Sequence, residues 1–266
     1  MFTVTKYPHA TFCWADVSTT DTAAGKAFYT ALFGWDAEDL PMGDGMFYTM
    51  FRKDGQYTAA LSPMQPEMQA QGVPAHWQCY ISVDDVDAAA AKVTELGGTV
   101  MMSPFEVFDS GRMAVIADPT GAPVMLWQAR NHIGAGLINT VGAMSWNELQ
   151  TRDTAAAAAF FKELFGWESQ SDPEGSYFTF SNKGRRRMAG GMRPIAAEWG
   201  AVPPNWMPYF SVADCAESIA KVKELGGNVM VGPMESPGVG TLAVVQDPQG
   251  GVCTVIALLN PEPAWE

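Results

Sequence analysis

Two acidic side chains stand at equivalent places in this chain: Asp16 in Trp14-Ala15-Asp16 and Glu148 in Trp146-Asn147-Glu148. An acid two residues from a tryptophan in a β-rich run shares that indole's side of the strand, because strand side chains alternate faces. Such an acid is either solvated at an edge or buried with a partner, since an isolated buried charge is prohibitive. In a dry pocket it would accept a hydrogen bond from a ligand with a raised pKa, or work as a general acid and base. The tryptophans have two readings, core filler or stacking plate, because large aromatics dominate burial wherever they sit. The sequence has no phosphate-binding glycine loop, no nucleophile elbow and no Cys-His pair at catalytic spacing.

The elements that must hold these residues come in two copies. Trp14 to Trp35, with Asp21, Ala27-Phe28 and Leu32-Phe33-Gly34-Trp35, returns 132 residues later as Trp146 to Trp167. Trp77 to Pro104 returns 129 residues later as Trp206 to Pro233, and Asp118-Pro119-Thr120-Gly121 as Asp247-Pro248-Gln249-Gly250. A period this long is a duplicated domain, not a solenoid. Within each copy a strand leads to a helix stopped by glycine. Asp21, Asp84 and Asp153 are expected as helix caps. Runs on either side of Asp54-Gly55 predict a hairpin, and a second strand, helix and three strands follow. Each half therefore reads β-α-β-β-β twice. The expected domains are 8–130 and 140–261, with the Gly- and Asn-rich stretch from Ala129 to Val141 as linker.

At 266 residues the chain can hold two cores. Its net charge of −13 argues against nucleic acid, which needs clustered Lys and Arg. No apolar run is long enough for a membrane span, and no secretory signal opens the chain. Cys13, Cys79, Cys215 and Cys253 lack close spacing and are expected to be reduced and structural, so a cytoplasmic location is expected. The 16 methionines read as adaptable core filler first and as tolerant pocket lining second. Trp35 and Trp167 are expected to fill grooves between elements. Lys183-Gly184-Arg185-Arg186-Arg187 is expected to be a solvated hairpin turn, with guidance of an anionic ligand as the alternative.

The strand-Asp-helix-Leu-Phe-Gly-Trp pattern, the Ser-Val-Asp-helix-Leu-Gly-Gly pattern and the Asp-Pro-x-Gly turn together resemble the vicinal oxygen chelate superfamily. That superfamily includes glyoxalase I, extradiol dioxygenases and bleomycin-resistance proteins. The tandem layout looks most like its two-domain, hydroxylase-like branch. The resemblance implies an α+β fold of two tandem domains, each a pair of βαβββ units forming an incomplete barrel around a cavity. It also implies a divalent metal held by His, Glu or Gln from the first and last strands of the units. Alignment puts Trp14, a residue near Ala59-Ala60, Gln78 and Met125 at those positions in the first half. In the second half it puts Trp146, a residue near Gly190-Gly191, Met207 and Thr254 there. Only Gln78 could ligate, and none of the three histidines falls in register. No metal site of the family's usual kind and no cofactor are therefore expected.

What remains is an apolar wall with a few polar groups, which describes a small-molecule pocket. Its expected lining is Trp14, Gln78, Met125, Trp127, Trp146, Met207 and Thr254, with Asp16 and Glu148 as the chemically active pair. Three functions compete. The first is a metal-independent binding or sequestering protein for a hydrophobic or aromatic metabolite, acting as monomer or homodimer. The second is a glyoxalase- or hydroxylase-like enzyme using Asp16, Glu148 or an unrecognised metal site on a carbonyl or aromatic substrate. The third is a protein whose pockets its own side chains fill. The missing ligands favour binding, and fold alone cannot decide.

Overall fold

The computed structural model describes residues 2–182 and 188–261, so the turn expected at Lys183 to Arg187 falls outside the described residues. A short strand β1 (Phe2–Thr3) precedes the first half. Its first unit is β2 (Thr11–Thr19), α1 (Thr22–Phe33), β3 (Asp36–Gly43), β4 (Met46–Lys53) and β5 (Gln56–Pro63). After a short helix α2 (Pro66–Ala70), the second unit is β6 (His76–Ser82), α3 (Val86–Glu95), β7 (Thr99–Val107), β8 (Gly111–Ala117) and β9 (Pro123–Ala129). A two-residue strand β10 (Leu137–Ile138) leads into the second half. There β11 (Met144–Thr151), α4 (Thr154–Phe165), β12 (Trp167–Ser171), β13 (Phe178–Asn182) and β14 (Met188–Pro194) form the third unit. The fourth is β15 (Asn205–Ser211), α5 (Cys215–Glu224), β16 (Asn228–Ser236), β17 (Gly240–Gln246) and β18 (Val252–Leu258). All four units are βαβββ, as the repeat predicts.

Local signals account for most of these elements. The Asp21 and Asp153 carboxylates cap α1 and α4 by accepting from the N–H groups of Ala24 and Ala156. Gly34 and Gly166 end the two helices in the left-handed conformation that glycine reaches without strain. Helix α3 corrects one expectation. Its cap is Asp85, which accepts from the Ala88 N–H, while Asp84 lies outside the helix beside His9. Two consecutive aspartates precede the helix, and only the second sits where the backbone turns helical.

The first half forms one sheet in the order β3-β4-β5-β2-β6-β9-β8-β7, and the second repeats it as β12-β13-β14-β11-β15-β18-β17-β16. In the first, β2 runs parallel to β5 and antiparallel to β6, and β6 runs parallel to β9. The first strands of the two units thus meet at the centre, and the end strands β3 and β7 do not pair, leaving the barrel open. Each sheet has a helix-covered face and a helix-free face. The helix-covered faces pack against each other in one continuous core holding Phe28, Trp77 and Ile81 from the first half and Phe161, Trp206 and Phe210 from the second. Trp35 and Trp167, which follow the helix stops, seal the junction. Trp35 Nε1 donates to the Gly142 carbonyl at 2.7 Å and Trp167 Nε1 to the Ala10 carbonyl at 3.2 Å.

The stretch between the halves is a strap, more tightly held than a linker. The Ala135 N–H donates to the Cys13 carbonyl at 2.8 Å and the Gly136 N–H to Tyr57 at 2.7 Å, while β10 pairs with both β1 and β11. The four cysteines are buried and free. Among the described residues no helix is long and apolar enough to cross a membrane.

Candidate functional site

The central strands aim the candidate residues. In β2, Phe12, Ala15 and Val17 enter the shared core, and a bulge at Cys13 sets Trp14 and Asp16 onto the helix-free face. Asp16 lies opposite Gln78, and Trp14 opposite Tyr80, which in turn lies beside Met125. Met125 and Trp127 line the same face. The second half repeats this arrangement: Glu148 lies opposite Met207, Trp146 opposite Tyr209, and Tyr209 beside Thr254. The Thr254 hydroxyl donates to Met207 Sδ at 3.0 Å. All nine candidates therefore lie on the two helix-free faces.

Two tyrosines grip Asp16 and one grips Glu148. Asp16 is 2% exposed, and its Oδ2 accepts from both Tyr48 Oη and Tyr80 Oη at 2.8 Å. Trp14 Nε1 donates to Tyr48 Oη at 3.1 Å. Asp16 Oδ1 is equally buried and has no hydrogen-bond partner. Burial pushes the Asp16 carboxyl up to about 6 against the pull of the two phenols. In the second half Glu148 Oε2 accepts from Tyr209 Oη at 2.7 Å. Trp146 Nε1 donates to Tyr177 Oη at 2.9 Å. Gln150 Nε2 donates to Glu148 Oε1 at 3.5 Å. Burial raises the Glu148 pKa, and the Tyr209 hydrogen bond and the Arg193 charge oppose the rise.

The same four groups, a tryptophan, two tyrosines and a carboxylate, thus recur on both faces, with the tryptophan-to-tyrosine and tyrosine-to-carboxylate bonds made in each. Sequence reasoning missed the four phenols, Tyr48, Tyr80, Tyr177 and Tyr209. A signal existed, because both pairs recur at the 129-residue offset on the candidate face. It also missed His132, which meets the Trp14 ring edge-on at 4.7 Å and whose Nε2 is buried without a partner. Burial lowers its pKa to about 4, so the ring is neutral at pH 7.

The two faces differ in access. In the first half, Val4 and Tyr7 from the N-terminal segment and Ile133, Ala135 and Ile138 from the strap pack over Trp14, Tyr80, Met125 and Trp127. In the second half Trp146, Leu242, Val244, Val252 and Leu258 line the face and stay partly exposed. A cleft of about 280 Å³ lies elsewhere, over Thr22, Lys26, Asp39, Met46 and Phe47 at the open edge of the first sheet. It reaches neither acid. Among the described residues no three His, Cys, Asp or Glu side chains gather where they could hold a metal ion.

Comparison with known proteins fits this architecture. Residues 7–126 match the Glyoxalase/Bleomycin resistance protein/Dioxygenase superfamily, and residues 147–256 match a glyoxalase-like domain. The chain belongs to that superfamily. It is 42% identical over 261 residues, covering 97% of both chains, to "Putative glyoxylase CFP32" of Mycobacterium tuberculosis. It is 33% identical over 272 residues, covering 98% of both, to "Anthracycline biosynthesis protein DnrV" of Streptomyces peucetius. Among solved structures, the Mn(II)-bound glyoxalase of Novosphingobium aromaticivorans superposes with a TM-score of 0.66 at 16% identity, covering 99% of this chain and 85% of that one. Homoprotocatechuate 2,3-dioxygenase of Brevibacterium fuscum gives 0.67 at 16% identity, covering 98% and 83%. At these identities the superpositions speak for the fold alone.

Proposed function

We propose that this chain binds a hydrophobic, aromatic small molecule on its helix-free faces without the family's divalent metal. The observation that carries this reading is the Asp16 carboxylate. One oxygen is saturated by two phenols, while the other is buried, unpaired and set in an apolar wall. A buried acceptor without a partner carries a free-energy penalty that a ligand hydroxyl would relieve. The donor set supports a metal-free reading. Around Asp16 the neighbouring strands offer Ala60, Gln78 and Met125, whereas ions of this family's kind need several imidazole or carboxylate donors. The residues present do not fit such an ion, and no step is assigned to one. The name of the Streptomyces relative, a protein of anthracycline biosynthesis, agrees with a polycyclic, hydroxylated ligand.

One observation favours the enzymatic reading. A carboxyl with a pKa of about 6 gives up and regains its proton near neutrality, as a general base for an acidic C–H or O–H group requires. The test of binding is a thermal-shift screen of aromatic phenols and quinones, with and without chelator, alongside elemental analysis of the purified protein. Stabilisation that chelator leaves intact and that Asp16→Asn or Glu148→Gln abolishes is expected. Stoichiometric tightly bound metal, or stabilisation that disappears with chelator, would overturn the reading. Turnover that follows a group titrating near pH 6 and fails in Asp16→Asn would replace binding with catalysis.

A further inference from the structure

Arg193 is the clearest chemical difference between the two halves. Gly191 lies opposite Glu148 across β14 and β11, and it faces the second cluster: a methyl there would overlap Tyr177 Oη and come within 2.7 Å of Trp146 Nε1. Two residues on, Arg193 leaves the same side of the strand. Its register partner is Gln150, the residue that bonds Glu148. The guanidinium lies over the Trp199 ring at 5.2 Å. Its Nε is buried and has no hydrogen-bond partner, and no described carboxylate lies within ion-pair distance of it.

Among the described residues Arg193 makes no close ion pair, although the chain carries 29 acids against 16 Lys and Arg. In the first half the corresponding strand pairs Asp16 with Ala60 and Ser18 with Ser62, so an uncharged hydroxyl stands in the arginine's place. Stacking on Trp199 restrains the guanidinium, and its planar fork matches a carboxylate. Its charge also reaches the cluster, since it pulls down the pKa values of Glu148, Tyr177 and Tyr209 against their burial.

We propose that the second half's face selects an aromatic monoanion, with Arg193 gripping its carboxylate and Trp146 its apolar body, while the first half's face takes an uncharged ligand. This rests on the reading that the helix-free faces bind small molecules. Glu148 is hydrogen-bonded by Tyr209 and Gln150, while Arg193 Nε keeps no hydrogen-bond partner with which to compete for a ligand.

The test is isothermal titration of the full chain with 2-naphthoate and with its uncharged counterpart 2-naphthol. Wild type, Arg193→Met, which keeps the apolar stem, and Arg193→Lys, which keeps the charge, are compared. A single equivalent of 2-naphthoate is expected to bind wild type. Its affinity should fall about tenfold or more in Arg193→Met and less in Arg193→Lys. Affinity for 2-naphthol should be unchanged, which also shows that the variants fold. Binding of 2-naphthol with no preference for 2-naphthoate, or a preference that survives Arg193→Met, overturns the anion selectivity and leaves the binding faces standing. Failure of both compounds to bind overturns both readings.

Discussion

Asp16 faces Ala60 across its strand pair, and Glu148 faces Gly191 at the equivalent place. Where the acid gains a methylene its neighbour loses a methyl, so the two changes conserve volume and let both carboxylates reach their phenols. A methyl restored at position 191 would overlap Tyr177 Oη. Gly191→Ala is therefore expected to cost about 1–3 kcal/mol in urea denaturation, as overpacked cores do. The Asp16 titration predicts a pH effect of definite sign. Its folded pKa of about 6 exceeds the unfolded value of roughly 3.9, so the folded state binds the proton more tightly. The associated stability is fully present below about pH 4 and is lost as pH rises through 6. Asp16→Asn should flatten that part of the profile, by on the order of 3 kcal/mol at most between pH 4 and 8, as read from urea midpoints at a series of pH values.

Among the elements, the strap decides how the first face is covered. Gly134 holds φ at +108°, and any side chain there would overlap the Cys13 carbonyl. Gly134→Ala is expected to destabilise the protein by at least about 2 kcal/mol, combining backbone strain with a lifted strap. Acrylamide quenching of Trp14 should rise with it. An unchanged melting point and unchanged quenching would show that the strap is not held there. This element also marks the limit of what the sequence discloses. Helix caps, glycine stops and the Asp54-Gly55 hairpin are local signals, so α1, α4, the β4-β5 turn and the duplication itself are legible in the sequence. The strap resembles a linker in sequence because glycine and asparagine look the same whether a backbone is loose or pressed against another backbone. Strand β3 gives no sequence signal, because all eight of its residues are exposed at the sheet edge and carry no alternation. The acids and tryptophans of the candidate site stood out by type and spacing. The tyrosines that complete it come from other strands, and only pairing brings them together.

Across the whole molecule, one hydroxyl distinguishes the two junctions between the halves. Tyr29 Oη donates to Asp247 Oδ2 at 2.7 Å and accepts from Trp77 Nε1 at 3.0 Å. The repeat places Phe161, Asp118 and Trp206 at the equivalent positions. There, with no phenol, Asp118 Oδ2 and Trp206 Nε1 are both buried and unpaired. The space is also altered. A methyl on Gly251 would sit 2.6 Å from Asp247 Oδ2 and 3.2 Å from Tyr29 Oη, and the first half carries such a methyl as Ala122. Phe161→Tyr alone is expected to gain little. Phe161→Tyr with Ala122→Gly should gain about 1–2 kcal/mol by satisfying both orphaned groups, measured as a shift in urea midpoint. A loss in the double variant would show that the two junctions are not equivalent. The bonds from Trp35 to Gly142 and from Trp167 to Ala10 are likewise one contact made twice, each half supplying a donor to the other. Two separate copies of a single ancestral half could have made the same reciprocal pair of bonds, as a twofold dimer does. Fusion of such a dimer into one chain would leave the contacts intact while releasing its two sides from identity. That freedom is recorded in an acid one methylene longer on one side, a phenol present at only one junction and an arginine that the other half lacks.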